Sequence, residues 1–359
     1  DGTADVLKPS TGKHTFGDDD KLKNIEKIET DSSGSEVILS AQKEALEITG
    51  GDGVDKITGG EGVDTINAGK GDDEITVAAA GKADTDVMDG GVGTADVLKL
   101  STGKHTFGDD NKLKNIEKIE TDSSGSEVIL SAQKEALEIT GGDGVDKITG
   151  GEGVDTIKGE KSADIIVGGK GDDIITGGDG DDIITGGEGD DTINVDKGTD
   201  TIADLGGSSG GESDILVVSK DAIAKATVKV SFTATSSTVN NAANDVTKAI
   251  ISTDTDGATI DMSSAQGVYT LTGGDGIDKL TGSAGADTIN AGKGDDEITV
   301  AAAGKADSDT MDGGVGTADV LKLSTGKHTF GDDDKLKNIE KIETDSSGSE
   351  VILSAQKEA

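Results

Sequence analysis

"GGKGDDIITGGDGDDIITGGEGDDTIN", Gly168 to Asn194, is three nine-residue units laid end to end, each close to GG-x-G-D-D-x-I-x. Nine residues make two and a half turns of an α-helix, so any fixed position would fall on opposite faces in successive units. Glycine also opposes helix, by about 1 kcal/mol each against Ala. The unit divides better into a six-residue turn, GGxGxD, and a three-residue strand. Glycine permits φ > 0 and close backbone approach in the turn. The aliphatic side chain at position eight points inward.

The register extends beyond the quoted stretch. Ile148, Ile157, Ile166, Ile175, Ile184, Ile193 and Ile202 are spaced by nine. With two units per coil of 18 residues, alternate isoleucines stack in two ladders about 4.8 Å apart, the spacing of neighbouring strands. Two facing ladders make a thin core that needs no aromatics. The stretch therefore predicts a parallel β solenoid.

Composition agrees with a thin core. Among 359 residues there are 56 glycines, 31% hydrophobic residues and 1% aromatics. Such apolar content is too low for a conventional core of this size. Low hydrophobicity with a formal net charge of -39 would otherwise suggest disorder, which needs no register. So acidic a chain repels nucleic acid and attracts cations. It has no cysteine, hence no disulfides or thiolate metal sites. No stretch approaches the roughly 20 apolar residues of a membrane span, and none at the start reads as a signal peptide.

A longer repeat contains the short one. "TADVLK" recurs at Thr3, Thr94 and Thr317, followed each time by nearly the same text, and a diverged copy begins with "ESDIL" at Glu212. The spacings are 91, 118 and 105 residues. The second exceeds the first by 27 residues, three nonapeptides. The 14-residue excess of the third is assigned to a loop near Ala234 to Asp245. The organisation expected is a linker unit over 1–49, a nonapeptide block over 50–76, a linker over 77–140 and a long block over 141–203. A diverged unit over 204–272, a block over 273–299 and a linker over 300–359 follow. The text starts and stops inside repeats, so a longer parent chain is expected.

Stacked turns create an electrostatic problem. They bring Asp155, Asp173 and Asp191 into one column, and Asp146, Asp164, Asp182 and Asp200 into another. Like charges a few ångströms apart cost roughly 1 kcal/mol per pair even in water. Carboxylates and glycine carbonyls together form an all-oxygen cage. Ca²⁺ takes six to eight oxygens in flexible geometry, whereas Mg²⁺ demands strict octahedra. Zn²⁺ favours His or Cys.

GGxGxDxUx, repeated about a dozen times in register, resembles the RTX (repeat-in-toxin) calcium-binding nonapeptide. The resemblance implies an all-β, right-handed parallel β-roll or β-helix with less regular β coils between the calcium-binding turns. It implies Ca²⁺ ligation by the sixth-position carboxylates of Asp55, Asp64, Asp73, Asp146, Asp155, Asp164, Asp173, Asp182, Asp191, Asp200, Asp278, Asp287 and Asp296. It adds turn carbonyls, including those of Gly50, Gly51, Gly53, Gly59, Gly60 and Gly62 in the first block. The long block supplies Gly141, Gly142, Gly144, Gly150, Gly151, Gly153, Gly168, Gly169, Gly171, Gly177, Gly178, Gly180, Gly186, Gly187 and Gly189. The last block supplies Gly273, Gly274 and Gly276. "GGVGTADVLKL" is a nonapeptide with one inserted residue, which makes Asp96 and Asp319 candidate ligands, with a solvated turn Asp as the alternative.

The linkers read as short strands between polar turns that continue the solenoid in wider coils. A short helix in "DDKLKNIEKI" is the alternative. "DTDG" at Asp254 has serines, Ser252 and Ser263, where an EF-hand loop needs acids, and reads as a turn. His14, His105 and His328 all lie in copied "STGKHTF" segments and read as structural, and no catalytic constellation stands out. The expected function is calcium-dependent and structural rather than enzymatic. It resembles RTX-type S-layer proteins, with an RTX adhesin or the calcium-binding tail of an RTX enzyme or toxin as alternatives. The resemblance implies an extracellular, Gram-negative cell-surface location reached by type I secretion. The partners expected are calcium ions, further copies of the chain in a lattice, and cell-surface polysaccharide.

Overall fold

A computed structural model describes residues 4–17, 22–77, 85–207, 212–242, 245–254, 256–300, 308–330, 334–345 and 348–353. The chain is all-β, with its strands pairing in parallel as a solenoid and no helix among the described residues. It divides into two compact units, Asp1–Gly171 and Asp172–Ala359.

In the first unit, strands Lys27–Glu29, Glu47–Thr49, Thr65–Asn67 and Val87–Asp89 stack in one sheet. Ser35–Ile38, Lys56–Thr58, Glu74–Val77, Val97–Leu100, Lys118–Thr121 and Glu138–Thr140 stack in a second, and Gly103–Thr106, Ser126–Ile129 and Lys147–Thr149 in a third. The shortest nonapeptide strands are three residues long with only their middle side chain inward, as in Lys56–Thr58, where Ile57 alone is buried, and those of the long block, such as Ile165–Lys170, run to six. Register then stacks like on like. Val37, Ile57, Ile75, Leu98, Ile119, Ile139 and Ile157 form one continuous aliphatic column. Each such side chain, fully buried, contributes about 1.5–3 kcal/mol.

Coil length varies while the column does not. Ile139 pairs with Ile157, 18 residues on, whereas Ile75 pairs with Leu98, 23 residues on. The linker text is strand where a helix was the alternative: Leu113–Lys114 and Lys118–Thr121 both lie in "NKLKNIEKIET". Equivalent strands of successive copies occupy different sheets. Gly12–Thr15 pairs within the second sheet, and its counterpart Gly103–Thr106 within the third.

The second unit repeats the construction. Ile184, Ile202, Ala226, Ile251, Leu271, Ile289 and Met311 form one column, and Phe232, Ile260, Leu280, Ile298 and Leu321 another. The aromatics that the nonapeptides do without fill the wider coils, where Phe107, Phe232, Tyr269 and Phe330 are fully buried. Tyr269 Oη donates to the Gln266 carbonyl at 2.7 Å, so its hydroxyl is not left unpaired. Within 234–245, residues 243 and 244 lie outside the described set, and Val239–Asn240 is a strand on Val217–Val218. The histidines head the inward columns. His105 and His328 are buried, with Nε2 against the Ser101 and Ser324 carbonyls at 2.7 and 2.8 Å.

Candidate metal centre

The turns carry two rails of carboxylates. Every sixth-position Asp named from the sequence, and Asp96 and Asp319 as well, is at most 2% exposed. These side chains form the inner rail. The N–H of one sixth-position Asp donates to Oδ1 of the Asp one coil on. In the first unit Asp55 donates to Asp73 at 2.7 Å, Asp73 to Asp96 at 2.7 Å and Asp146 to Asp164 at 2.7 Å. In the second, Asp173 donates to Asp191, Asp182 to Asp200 and Asp278 to Asp296, at 2.8 to 3.1 Å. A backbone N–H is a natural partner for an ionised oxygen, and one oxygen of each carboxylate is thereby fixed.

The second oxygen sorts the turns into two kinds. Oδ2 of Asp55, Asp64, Asp146, Asp155, Asp278 and Asp287 accepts an N–H from four residues earlier, at 2.6 to 3.0 Å, and closes its own turn. Oδ2 of Asp73, Asp96, Asp191, Asp200, Asp296 and Asp319 is buried with no hydrogen-bond partner. The open kind includes left-handed glycines, such as Gly69 (φ +103°), Gly187 (φ +118°) and Gly292 (φ +97°). A Cβ on Gly69 would stand 2.3 Å from the Gly51 carbonyl oxygen one coil below, and one on Gly294 would stand 2.2 Å from that of Gly276. The glycines thus let carbonyl oxygens of one coil press against the backbone of the next. The Gly51, Gly151 and Gly274 carbonyls also accept an N–H from the coil above, at 2.8 to 2.9 Å, and each retains a second lone pair.

Burial dominates the electrostatics of the inner rail. It raises the carboxyl pKa of Asp191 to about 8, of Asp200 to about 7, and of Asp73, Asp214 and Asp296 to about 6. Neighbouring carboxylates push the same way, Asp214 and Asp173 on Asp191 among them. Asp96, Asp146, Asp155 and Asp319 are raised for the same first reason. A buried carboxylate oxygen without a donor is costly unless protonated or matched by a cation.

Those orphaned oxygens are the test of fit for a metal ion, and the residues fit Ca²⁺. The donors are all oxygen, which a hard cation requires. Among the described residues no group of three or more His, Cys, Asp or Glu side chains gathers around one point. Most oxygens must therefore come from the backbone, as the glycine packing allows.

The rail reaches further than the motif. Asp64 N–H donates to Asp86 Oδ1 at 2.9 Å, Asp287 to Asp309 at 3.0 Å, Asp191 to Asp214 at 2.9 Å and Gly186 to Asp204 at 3.1 Å. Asp96 and Asp319 donate in turn to Glu117 and Glu340 Oε2, both at 2.8 Å. Asp86, Asp204, Asp214 and Asp309 are buried, and the motif did not find them. A shorter signal would have found three: an Asp two residues before an inward aliphatic side chain, as Asp86 precedes Met88, Asp214 Leu216 and Asp309 Met311. Asp96 and Asp319 are members of the rail and not solvated turn residues. Asp254 accepts the N–H of Asp256 at 3.1 Å and belongs to a simple turn.

A second rail runs outside. Fifth-position aspartates are exposed, and each accepts an N–H from the coil above. Asp72 accepts from Thr94, Asp172 from Asp190, Asp181 from Thr199, Asp190 from Ser213 and Asp295 from Thr317, at 2.7 to 2.9 Å. A parallel β solenoid with buried, cation-seeking carboxylates stacked at its turns is the arrangement of a metal-binding repeat protein. The family of RTX calcium-binding nonapeptide repeats matches the chain four times, over residues 47–77, 140–175, 167–202 and 270–300. The chain carries RTX calcium-binding nonapeptide repeats over those residues. No curated protein matches it.

Proposed function

We propose that this chain is a calcium-dependent extracellular structural protein, a component of a bacterial surface layer or surface matrix that calcium folds and assembles. The observation that carries the reading is the row of buried carboxylate oxygens without donors at Asp73, Asp191 and Asp296. Bound Ca²⁺ supplies the positive charge that offsets their burial. The chain's own residues do the rest: Oδ1 is held by the neighbouring coil, the glycine carbonyls are brought in, and the aliphatic columns fix the register. Metal binding and folding are then one event. Extracellular modules bind at about 10⁻⁴ to 10⁻³ M, so the chain stays unfolded inside the cell and folds outside it. Near-identical long units suit a scaffold rather than a catalyst.

Circular dichroism tests the core of the reading. Millimolar Ca²⁺ added to chelated protein converts coil to β signal, and an equal response to Mg²⁺ would refute it. Chelation of intact cells tests the surface layer, which should shed. The 91-residue spacing of the first two copies favours one other reading, the stalk of a secreted RTX adhesin. Electron microscopy separates them, since a stalk gives isolated fibres and a surface layer gives a two-dimensional lattice. Attachment to cell-surface polysaccharide belongs to the surface-layer reading, and a pull-down on purified polysaccharide tests it.

A further inference from the structure

The fifth residue of the nonapeptide has no place in the RTX consensus, yet Asp, Val and Ile there track the two kinds of turn. Where it is Val or Ile, at Val54, Val63, Val145, Val154 and Ile277, the following Asp uses Oδ2 to close its own turn, as Asp287 does after Ala286. These residues gain little by burial, for Val54 is 58% exposed and Ile277 65%. Where it is Asp, at Asp72, Asp190 and Asp295, the following Asp73, Asp191 and Asp296 keep Oδ2 without a partner; Asp200 does so after Thr199, and Asp96 and Asp319 after Ala95 and Ala318, so threonine and alanine fix neither kind.

The geometry gives a reason. Asp190 Oδ1 accepts the Ser213 N–H at 2.7 Å while Asp214 Oδ1 accepts the Asp191 N–H at 2.9 Å. Adjacent residues of one turn therefore stitch to the coil above in opposite senses, one by its side chain and one by its backbone. Asp72 and Asp73 do the same with Thr94 and Asp96, and Asp295 and Asp296 with Thr317 and Asp319. Such a double clasp holds the turn to its neighbour. In the closed turns the second residue instead gives its N–H to Oδ2, and no closed-turn glycine is left-handed.

We propose that an Asp, Val or Ile at the fifth position decides which turns are ready for calcium: Asp clasps the next coil and leaves the buried Oδ2 of the sixth residue for the ion, whereas Val or Ile lets the turn close on itself. The fifth-position Asp is a positioning residue, and its carboxylate stays outside the site. Calcium then fills unevenly, first at the turns of Asp73, Asp191 and Asp296 and later at those of Asp55, Asp64 and Asp278. This inference rests on the calcium reading above.

The experiment compares Asp190→Val, Asp190→Asn and Val54→Asp in the full chain. Amide hydrogen exchange and direct counting of bound Ca²⁺ at limiting free ion are the readouts. Asn keeps an acceptor oxygen and loses the charge. Asp190→Val should unprotect the Ser213 N–H and raise the Ca²⁺ needed at that turn by about tenfold, the loss of one charge-assisted hydrogen bond. Asp190→Asn should keep both near the parent. Val54→Asp should unprotect the Gly51 N–H and add an early-filling ion. If Asp190→Asn behaves as Asp190→Val does, charge rather than the clasp decides, and the proposal falls. It falls equally if Val54→Asp leaves Gly51 protected, since place in the stack would then set the turn. A parent chain that binds no Ca²⁺ refutes the calcium reading alone. Protection of Ser213 in the Val and Asn variants then still decides whether the clasp exists.

Discussion

The backbone N–H of Asp73 donates to Asp96 Oδ1 at 2.7 Å, the distance at which Asp55 donates to Asp73 itself. The first pair is 23 residues apart and the second 18. The carboxylate rail is thus indifferent to coil length, because the strand register is kept on both sides of the longer coil. Asp96 lies outside the matched nonapeptides but is bound as they are.

Asp96→Ala should therefore act like a change inside the motif. It removes a charge-assisted hydrogen bond, commonly about 1.5–3 kcal/mol, and one candidate ligand. The expected result is fewer calcium ions bound and lost amide protection near Asp73. Distant coils stay intact, since solenoid repeats contact mainly their neighbours. Calcium counting with hydrogen exchange checks both.

Acid should partly replace calcium. Asp191, Asp200, Asp73 and Asp296 have pKa values raised from 3.8 to between about 6 and about 8. A raised carboxyl pKa means the folded chain binds more protons than the unfolded one. Its stability is fully present below pH ~4 and is lost as pH rises through the folded values. Metal-free protein should show its strongest β signal in mild acid and lose it by pH 8. Calcium uptake runs the other way and weakens as pH falls, because proton and ion compete for the same oxygen. Titrating β signal against pH, with and without chelator, checks both slopes.

Glycine substitutions should divide by place. Gly69→Ala puts a methyl 2.3 Å from the Gly51 carbonyl oxygen at φ +103°, and neither can yield cheaply. Gly108→Ala meets nothing within 4 Å at an ordinary φ. The first should cost well over 1 kcal/mol and the second should be neutral or slightly stabilising. Thermal unfolding in saturating Ca²⁺ checks the contrast.

The thin core leaves little redundancy. Ile289 is stacked between Leu271 and Met311 and is 1% exposed. Ile289→Ala should cost about 2–5 kcal/mol. Alanine at Lys118, whose exposed ion pair with Glu138 spans 3.3 Å, should cost no more than about 1 kcal/mol. Denaturant unfolding in saturating Ca²⁺ ranks the two.

The solenoid and its inward isoleucines were legible because both depend on spacing alone. The inner rail was legible wherever the motif was intact. Asp86, Asp204, Asp214 and Asp309 were not, since no glycine-rich turn precedes them in the consensus form. The division into open and closed turns was hidden for a different reason. It turns on where one carboxylate oxygen points, and Asp55 and Asp73 carry the same label in the repeat.

The shift of equivalent strands between sheets has a consequence for recognition. Gly12–Thr15 and Gly103–Thr106 share the text GKHT, 91 residues apart, yet sit on different sides of the coil. Sequence period and spatial period therefore differ. An antibody raised against one copy meets the same epitope on its neighbour rotated about the solenoid axis. Two identical binding heads on a rigid spacer cannot dock on adjacent copies from one direction. A chain that looks monotonous when read as text presents a changing aspect to whatever approaches it.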